Sequence, residues 1–261
     1  MLAAFGALLA AAWPGASRIA SEVVYVKRLV ADRIDCPTQT PRTMVAFVFG
    51  QSNAANSGAY RHRAGGSVVN FARGRCFRAQ DPLVGAAGIH GSVWGIFADM
   101  VAHRHDHVLL VPAGVGGATI AQWNSELAPM LAERKRELRM AGYKVTHYLW
   151  HQGESDAAAA TPPREYEREL RGLIARVRAD DRNVPFWVAA ASVCRNAGSA
   201  SLAAAQRAVV HPAEGIFAGP DTDALEPSDR HDGCHFSRQG QEKVAAMWAG
   251  AVVRDGAEGY P

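Results

Sequence analysis

The chain of 261 residues has little net charge, few aromatic residues and few cysteines, and each scarcity excludes something. A formal charge of +3 is too mild for a surface built to hold nucleic acid. The densest basic run, Arg134, Lys135, Arg136 and Arg139, sits among helix formers and reads as a solvated face. Four cysteines with no C-x-x-C pair leave no zinc ribbon. No apolar run reaches the roughly 20 residues that a membrane helix needs.

Several catalytic and cofactor motifs are also missing. There is no G-x-S-x-G elbow of the usual α/β-hydrolase kind. The stretch Gly114-Val115-Gly116-Gly117 invites a dinucleotide reading, but Thr119 stands where the third glycine of G-x-G-x-x-G belongs, and no Gly-Lys-Ser/Thr ending makes a Walker loop. His103, His105 and His107 alternate without H-E-x-x-H or another ligand spacing, and they precede a strand, at the end of the sheet away from the other motifs. No metal and no cofactor is expected.

What is present begins with Leu2–Trp13, a charge-free apolar run followed by Pro14, Gly15 and Ala16. Its length suits the hydrophobic region of a secretion signal or an N-terminal anchor, although the first basic residue, Arg18, follows the run instead of preceding it. The expectation is an extracytoplasmic protein, whether secreted, periplasmic or N-terminally anchored, that touches a membrane only through such an anchor. The alternative is a cytoplasmic protein in which this run is a docked apolar helix. Four cysteines allow three disulfide connectivities. Cys36 and Cys76 flank the first predicted strand, while Cys194 follows a late strand and Cys234 lies beside His235. Cys36–Cys76 and Cys194–Cys234 are the favoured pairs; four buried thiols replace them if the chain stays in a reducing compartment.

Residues 1–41 read as the apolar segment and a linker, and residues 42–261 as one domain. With 48% hydrophobic residues, that length suffices for a well-buried core. Beyond residue 42, strands are predicted at Val45–Phe49, Val68–Phe71, His107–Val111, Val145–His151 and Val184–Ala191. Helices are predicted at Trp94–His103, Glu126–Met140, Arg164–Arg178, Ser199–Val210 and Arg238–Val253. Alternation of this kind implies an α/β fold with a parallel sheet covered on both faces. Ligands of such sheets bind at the carboxyl ends of the strands. Gly50-Gln51-Ser52-Asn53, Gly114–Gly117 and Gln152-Gly153-Glu154 each follow a strand, and Asp232–His235 precedes the last helix.

These segments hold a coherent chemistry. Ser52 after a strand is a candidate nucleophile, though on its own it is as well read as a helix cap. Asp232, three residues before His235, can hold the far ring nitrogen of the imidazole and fix its tautomer. The glycine turn offers backbone N–H groups for an oxyanion, and Gln152 offers a side-chain N–H. Glu154 is a supporting acid or an alternative partner for the histidine.

Taken in order, Phe49-Gly50-Gln51-Ser52-Asn53, Gly116-Gly117-Ala118-Thr119, His151-Gln152-Gly153-Glu154-Ser155-Asp156 and Asp232-Gly233-Cys234-His235-Phe236-Ser237 resemble the SGNH-hydrolase superfamily. Within it the chain looks most like the sialate O-acetylesterase-like (acetylxylan esterase-like) carbohydrate esterases, over residues 42–254. The resemblance implies a three-layer α/β/α sandwich of flavodoxin-like form and hydrolysis of short acyl esters, acetylated carbohydrates above all, without a cofactor. It carries the role of nucleophile to Ser52 and of general base to His235. Asp232 becomes the acid, and the oxyanion donors become the Ser52 and Gly117 backbones (Gly116 as the alternative) with the Gln152 side chain. Gln152 stands where most of the superfamily has asparagine, a departure typical of the acetylesterase branch. Another lipase or thioesterase activity, or a non-catalytic carbohydrate-binding relative, would share the fold.

Overall fold

The computed structural model describes residues 22–195 and 197–255. The apolar run Leu2–Trp13 lies outside the described residues. A central sheet of eight strands organises the rest, in the spatial order β1-β4-β3-β5-β2-β6-β7-β8. Its strands are β1 (Arg33–Ile34), β2 (Thr43–Gly50), β3 (Val68–Ala72), β4 (Arg75–Arg78), β5 (His107–Pro112), β6 (His147–His151), β7 (Phe186–Ala190) and β8 (Ile216–Asp221). Along the order from β3 to β8 every neighbouring pair is parallel, and β4 pairs antiparallel with both β1 and β3 at one edge.

β2 shows why the sheet is buried on both sides. All eight of its residues are buried, so its apolar positions run without polar interruption. Alternation along the strand then divides them. Val45, Phe47 and Phe49 enter one core, with Trp123, Leu131, Leu170 and Leu173. Met44, Ala46 and Val48 enter the other, with Trp94, Phe97, Val244 and Trp248. The helical residues of the first core come from α3 (Ile120–Asn124), α4 (Ala128–Met140), α6 (Pro163–Val177) and α7 (Ala200–Val209), and those of the second from α2 (Trp94–Val101) and α8 (Arg238–Asp255). The result is the expected α/β/α sandwich. Fully burying one large apolar side chain is worth about 1.5–3 kcal/mol, so β2 alone anchors both layers.

The domain begins earlier than residue 42. Residues 22–31 are helical, and Val24, Tyr25 and Leu29 from this stretch pack on Ala72, Phe77 and Val84. β1 pairs with β4, and the Cys36–Cys76 disulfide closes the same edge. Residues 22–41 are therefore folded instead of a linker. Both disulfides join the cysteines paired from their positions in the sequence. No described helix is long and apolar enough to cross a membrane.

β2 continues to β3 on one side, whereas its neighbour β5 continues to β6 on the other, so the connections leave this pair of strands in opposite directions. That makes its carboxyl end the switch point of the sheet, where a crevice opens between the diverging loops.

Candidate active site

β2 ends at Gly50, where φ is +136° and the backbone presses against its neighbour. A Cβ there would lie 1.9 Å from the His151 carbonyl oxygen, so position 50 requires glycine. The chain turns at once into a single 3₁₀ turn, Ser52–Ala54. Ser52 is thus placed by a sharp bend and three helical residues; no full helix starts there, and a macrodipole contributes little. The side chain is 8% exposed and borders a cavity of about 720 Å³.

The other predicted segments meet at that cavity. Gly116 and Gly117 border it, with Gly117 in the left-handed region at φ +73°. Neither glycine has anything within 4 Å of where its Cβ would be, so the space beside their α-carbons is open. Asp232 and His235 border it as well. His235 Nδ1 donates to Asp232 Oδ2 at 2.7 Å, which leaves Nε2 as the acceptor. Asp232 Oδ1 accepts the backbone N–H groups of His235 (2.7 Å) and Cys234 (2.9 Å). Partial burial disfavours the Asp232 anion, yet these hydrogen bonds outweigh it and hold the carboxyl well below the usual range. Asp232 is therefore a fixed negative charge behind the imidazole. No hydrogen bond joins the Ser52 hydroxyl to His235 among the described residues; such contacts commonly tighten only around substrate.

The loop that carries His235 is held from three sides. Cys234 is bonded to Cys194. Its carbonyl accepts Arg230 Nη1 at 2.6 Å and Asn53 Nδ2 at 3.3 Å. A bridge between Arg230 and Phe236 closes the loop.

Glu154 also borders the cavity, but as a buried side chain on its floor. Burial raises its carboxyl, while a 2.6 Å hydrogen bond from Asn53 Nδ2 to Oε1 offsets part of that rise. No hydrogen bond connects it to His235; the histidine near it is His151, with Nε2 3.9 Å from Oε1. His151 is fully buried, and burial first and the Arg230 charge second bring its imidazole down to about 3. It is a neutral core residue and no candidate base.

Gln152 departs from expectation. It is 0% exposed and does not border the cavity. Its Nε2 reaches Asp156 Oδ2 (2.5 Å), the Ala118 carbonyl (3.0 Å) and Gln51 Oε1 (3.3 Å), so both of its hydrogens are already taken. Direct donation from Gln152 to an oxyanion is thereby corrected. Its amide ties the glycine turn to Asp156 in α5 (Glu154–Ala158).

Gln51 borders this cavity, Asn53 hydrogen-bonds Glu154 and the Cys234 carbonyl beside it, and His231 borders it as well, although only Ser52 drew attention in the first segment. A hydrophilic residue flanking a candidate nucleophile was the available signal for the first two; nothing in the sequence singled out His231. Ligand atoms of His231, Asp232 and His235 lie within 4.8 Å of one another, the one such grouping among the described residues, and two of its members are the acid–imidazole pair. His103, His105 and His107 stand at or before the start of β5, away from this cavity. A second cavity of about 760 Å³, lined by Arg171, Arg182 and Glu214, contains neither serine nor histidine.

The chain is similar in shape to several solved structures. A protein from Arabidopsis thaliana, 22% identical, superposes with a TM-score of 0.70 over 82% of this chain and 99% of its own. NanS is 14% identical, with a TM-score of 0.61 over 84% of this chain and 98% of its own. The esterase EstA from Pseudoalteromonas sp. is 14% identical, with a TM-score of 0.51 over 82% and 97%. The comparison with curated proteins finds no match. Together with the strand order, these likenesses show a shared α/β fold. The model of the carbohydrate esterase family described as sialic acid-specific acetylesterase matches residues 43–254, and the chain belongs to that family. It is a carboxylic ester hydrolase.

Proposed function

We propose that the protein removes acetyl groups from carbohydrate esters through an acyl-enzyme on Ser52. The observation that carries this reading is the Asp232–His235 pair at 2.7 Å, set in one cavity with Ser52, Gly116 and Gly117. An imidazole held by a fixed carboxylate, with its other nitrogen free, is what a serine needs to become nucleophilic.

In the first step His235 Nε2 takes the Ser52 proton as Oγ attacks the ester carbonyl. The carbonyl oxygen becomes an oxyanion, held by the backbone N–H groups of Ser52 and Gly117. The C–O bond to the sugar breaks, and the sugar oxygen leaves with the proton from His235. Water, deprotonated by the same imidazole, then attacks the acetyl-Ser52 carbonyl, and acetate leaves as Oγ regains its proton. Asp232 balances the imidazolium in both steps. Two disulfides fit a protein that works in an oxidising, extracytoplasmic compartment.

Acetate release from acetylated xylan, O-acetylated sialic acids and aryl acetates tests this reading. Wild type should release acetate from at least one of them, and Ser52→Ala should lose at least about a thousandfold in turnover. Absence of release from every short ester by folded wild type would sink it. A panel of longer acyl chains separates an acetylesterase from a lipase or thioesterase.

A further inference from the structure

With Gln152 sealed away, the cavity has another side-chain amide. Gln51 is 3% exposed and borders the cavity beside Ser52, Gly116 and Gly117. Three donors converge on its Oε1: the Ser155 backbone N–H at 2.9 Å, the Gly153 backbone N–H at 3.3 Å and Gln152 Nε2 at 3.3 Å. Two of these are backbone groups that can only donate, so the oxygen must face them and the amine must face away. That amine has no protein acceptor among the described residues, and it is not one of the sealed, unpartnered polar atoms. A side chain otherwise buried leaves it one outlet, the cavity.

We infer that Gln51 Nε2 is a catalytic donor to the ester carbonyl oxygen as it becomes an oxyanion, and that Gln152 is a positioning residue that holds the Gln51 amide in place. The inference rests on the esterase reading above. The arrangement is pre-organised: three donors at the far end of the amide fix the amine before substrate arrives, so little reorientation is needed when charge develops. It also accounts for the burial of Gln152, whose amide spans Asp156, the glycine turn and Gln51 in one contact set.

The test compares wild type with Gln51→Glu in the full chain. A glutamate oxygen still accepts from Gly153 and Ser155, so the fold is kept, but the donor is gone. The expected result is a fall in kcat of about 100-fold or more with KM nearly unchanged. Affinity for a trifluoromethyl ketone, which forms a charged hemiketal on Ser52, should fall by a similar factor; a purely structural role would not make the two losses track. If Gln51→Glu does not fold, Gln51→Met gives the same comparison without a charge. Retention of kcat and of ketone affinity to within threefold in the folded variant overturns the inference. Labelling of wild-type Ser52 by a fluorophosphonate, read by intact mass, separates the two levels. Labelling with unaffected Gln51 variants refutes only the role of Gln51, whereas no labelling and no ester hydrolysis refutes the esterase mechanism and this inference with it.

Discussion

Asn53 donates its side-chain amide to Glu154 at 2.6 Å, and the same nitrogen reaches the Cys234 carbonyl at 3.3 Å, one residue before His235. The residue after the candidate nucleophile therefore joins a buried carboxyl to the loop of the candidate base. This gives Glu154 a part that needs no contact with His235. Glu154→Gln, which keeps an oxygen for Asn53, should stay within about tenfold of wild-type turnover. Asp232→Asn should lose on the order of a thousandfold or more, as expected when the imidazole is left in the wrong tautomer. Steady-state rates on an aryl acetate check both, and a larger loss in Glu154→Gln than in Asp232→Asn would reverse the assignment.

The two disulfides should differ in what they protect. Each closes a 40-residue separation, which in the chain-entropy account stabilises the fold by about 4 kcal/mol. Cys36–Cys76 lies at the sheet edge beside β1 and β4, whereas Cys194–Cys234 borders the cavity. Cys36→Ala with Cys76→Ala should lower Tm and leave kcat within a few-fold. Cys194→Ala with Cys234→Ala should lower both, because His235 adjoins the freed residue. Equal kcat in the two double variants, at a temperature where both are folded, would contradict this.

Asp81 should make stability depend on pH. Burial pushes its carboxyl up from 3.8 to about 6, against hydrogen bonds from the His62 backbone and from the Ser92 backbone and hydroxyl. A carboxyl whose folded value is raised favours the folded state while protonated, and that contribution is lost as pH rises from about 4 through about 6. Asp81→Asn mimics the protonated form. Its Tm relative to wild type should therefore improve between pH 4 and pH 7, by an amount equivalent to a few kcal/mol at most. Parallel melting curves at the two pH values decide it; a constant difference counts against the raised carboxyl.

Gln152 should matter more to the fold than to the cavity wall. It accepts the Tyr166 hydroxyl at 3.0 Å as well as donating through its amine. Gln152→Leu takes a donor from the Ala118 carbonyl, Asp156 and Gln51 and an acceptor from Tyr166; a buried polar group left unpaired costs about 1–3 kcal/mol, so Tm should fall by several degrees. Thermal melts measure this directly, and a variant as stable as wild type would return Gln152 to the wall of the cavity.

The parts of this fold legible in the sequence were those with long-period signals. Val45–Phe49 and His107–Val111 were recognisable as buried strands because apolar residues run unbroken there, and helix-forming stretches between strands implied a parallel sheet. β8 was not, since Gly219 and Pro220 interrupt it and its strand character comes from pairing with β7. The helix at residues 22–31 was hidden because its small core is completed by Phe77 and Val84, far away in sequence. At the site, the segments that converge could be read from their places after strands, and the Asp232–His235 contact follows from a three-residue spacing in a loop. The two glutamines could not be told apart. Both sit beside strand ends, and only the backbone N–H groups of Gly153 and Ser155 decide which amide turns inward and which is left open.

Gly50 sets a limit of another kind. Because the His151 carbonyl occupies the space where any side chain would begin, the bend before Ser52 admits one of the twenty amino acids and no gradual series of substitutes. Directed evolution of this esterase for new acyl groups can explore Gly116, Gly117 and the rim around them, where space is open. The residue two positions before Ser52 offers it no neighbouring solutions.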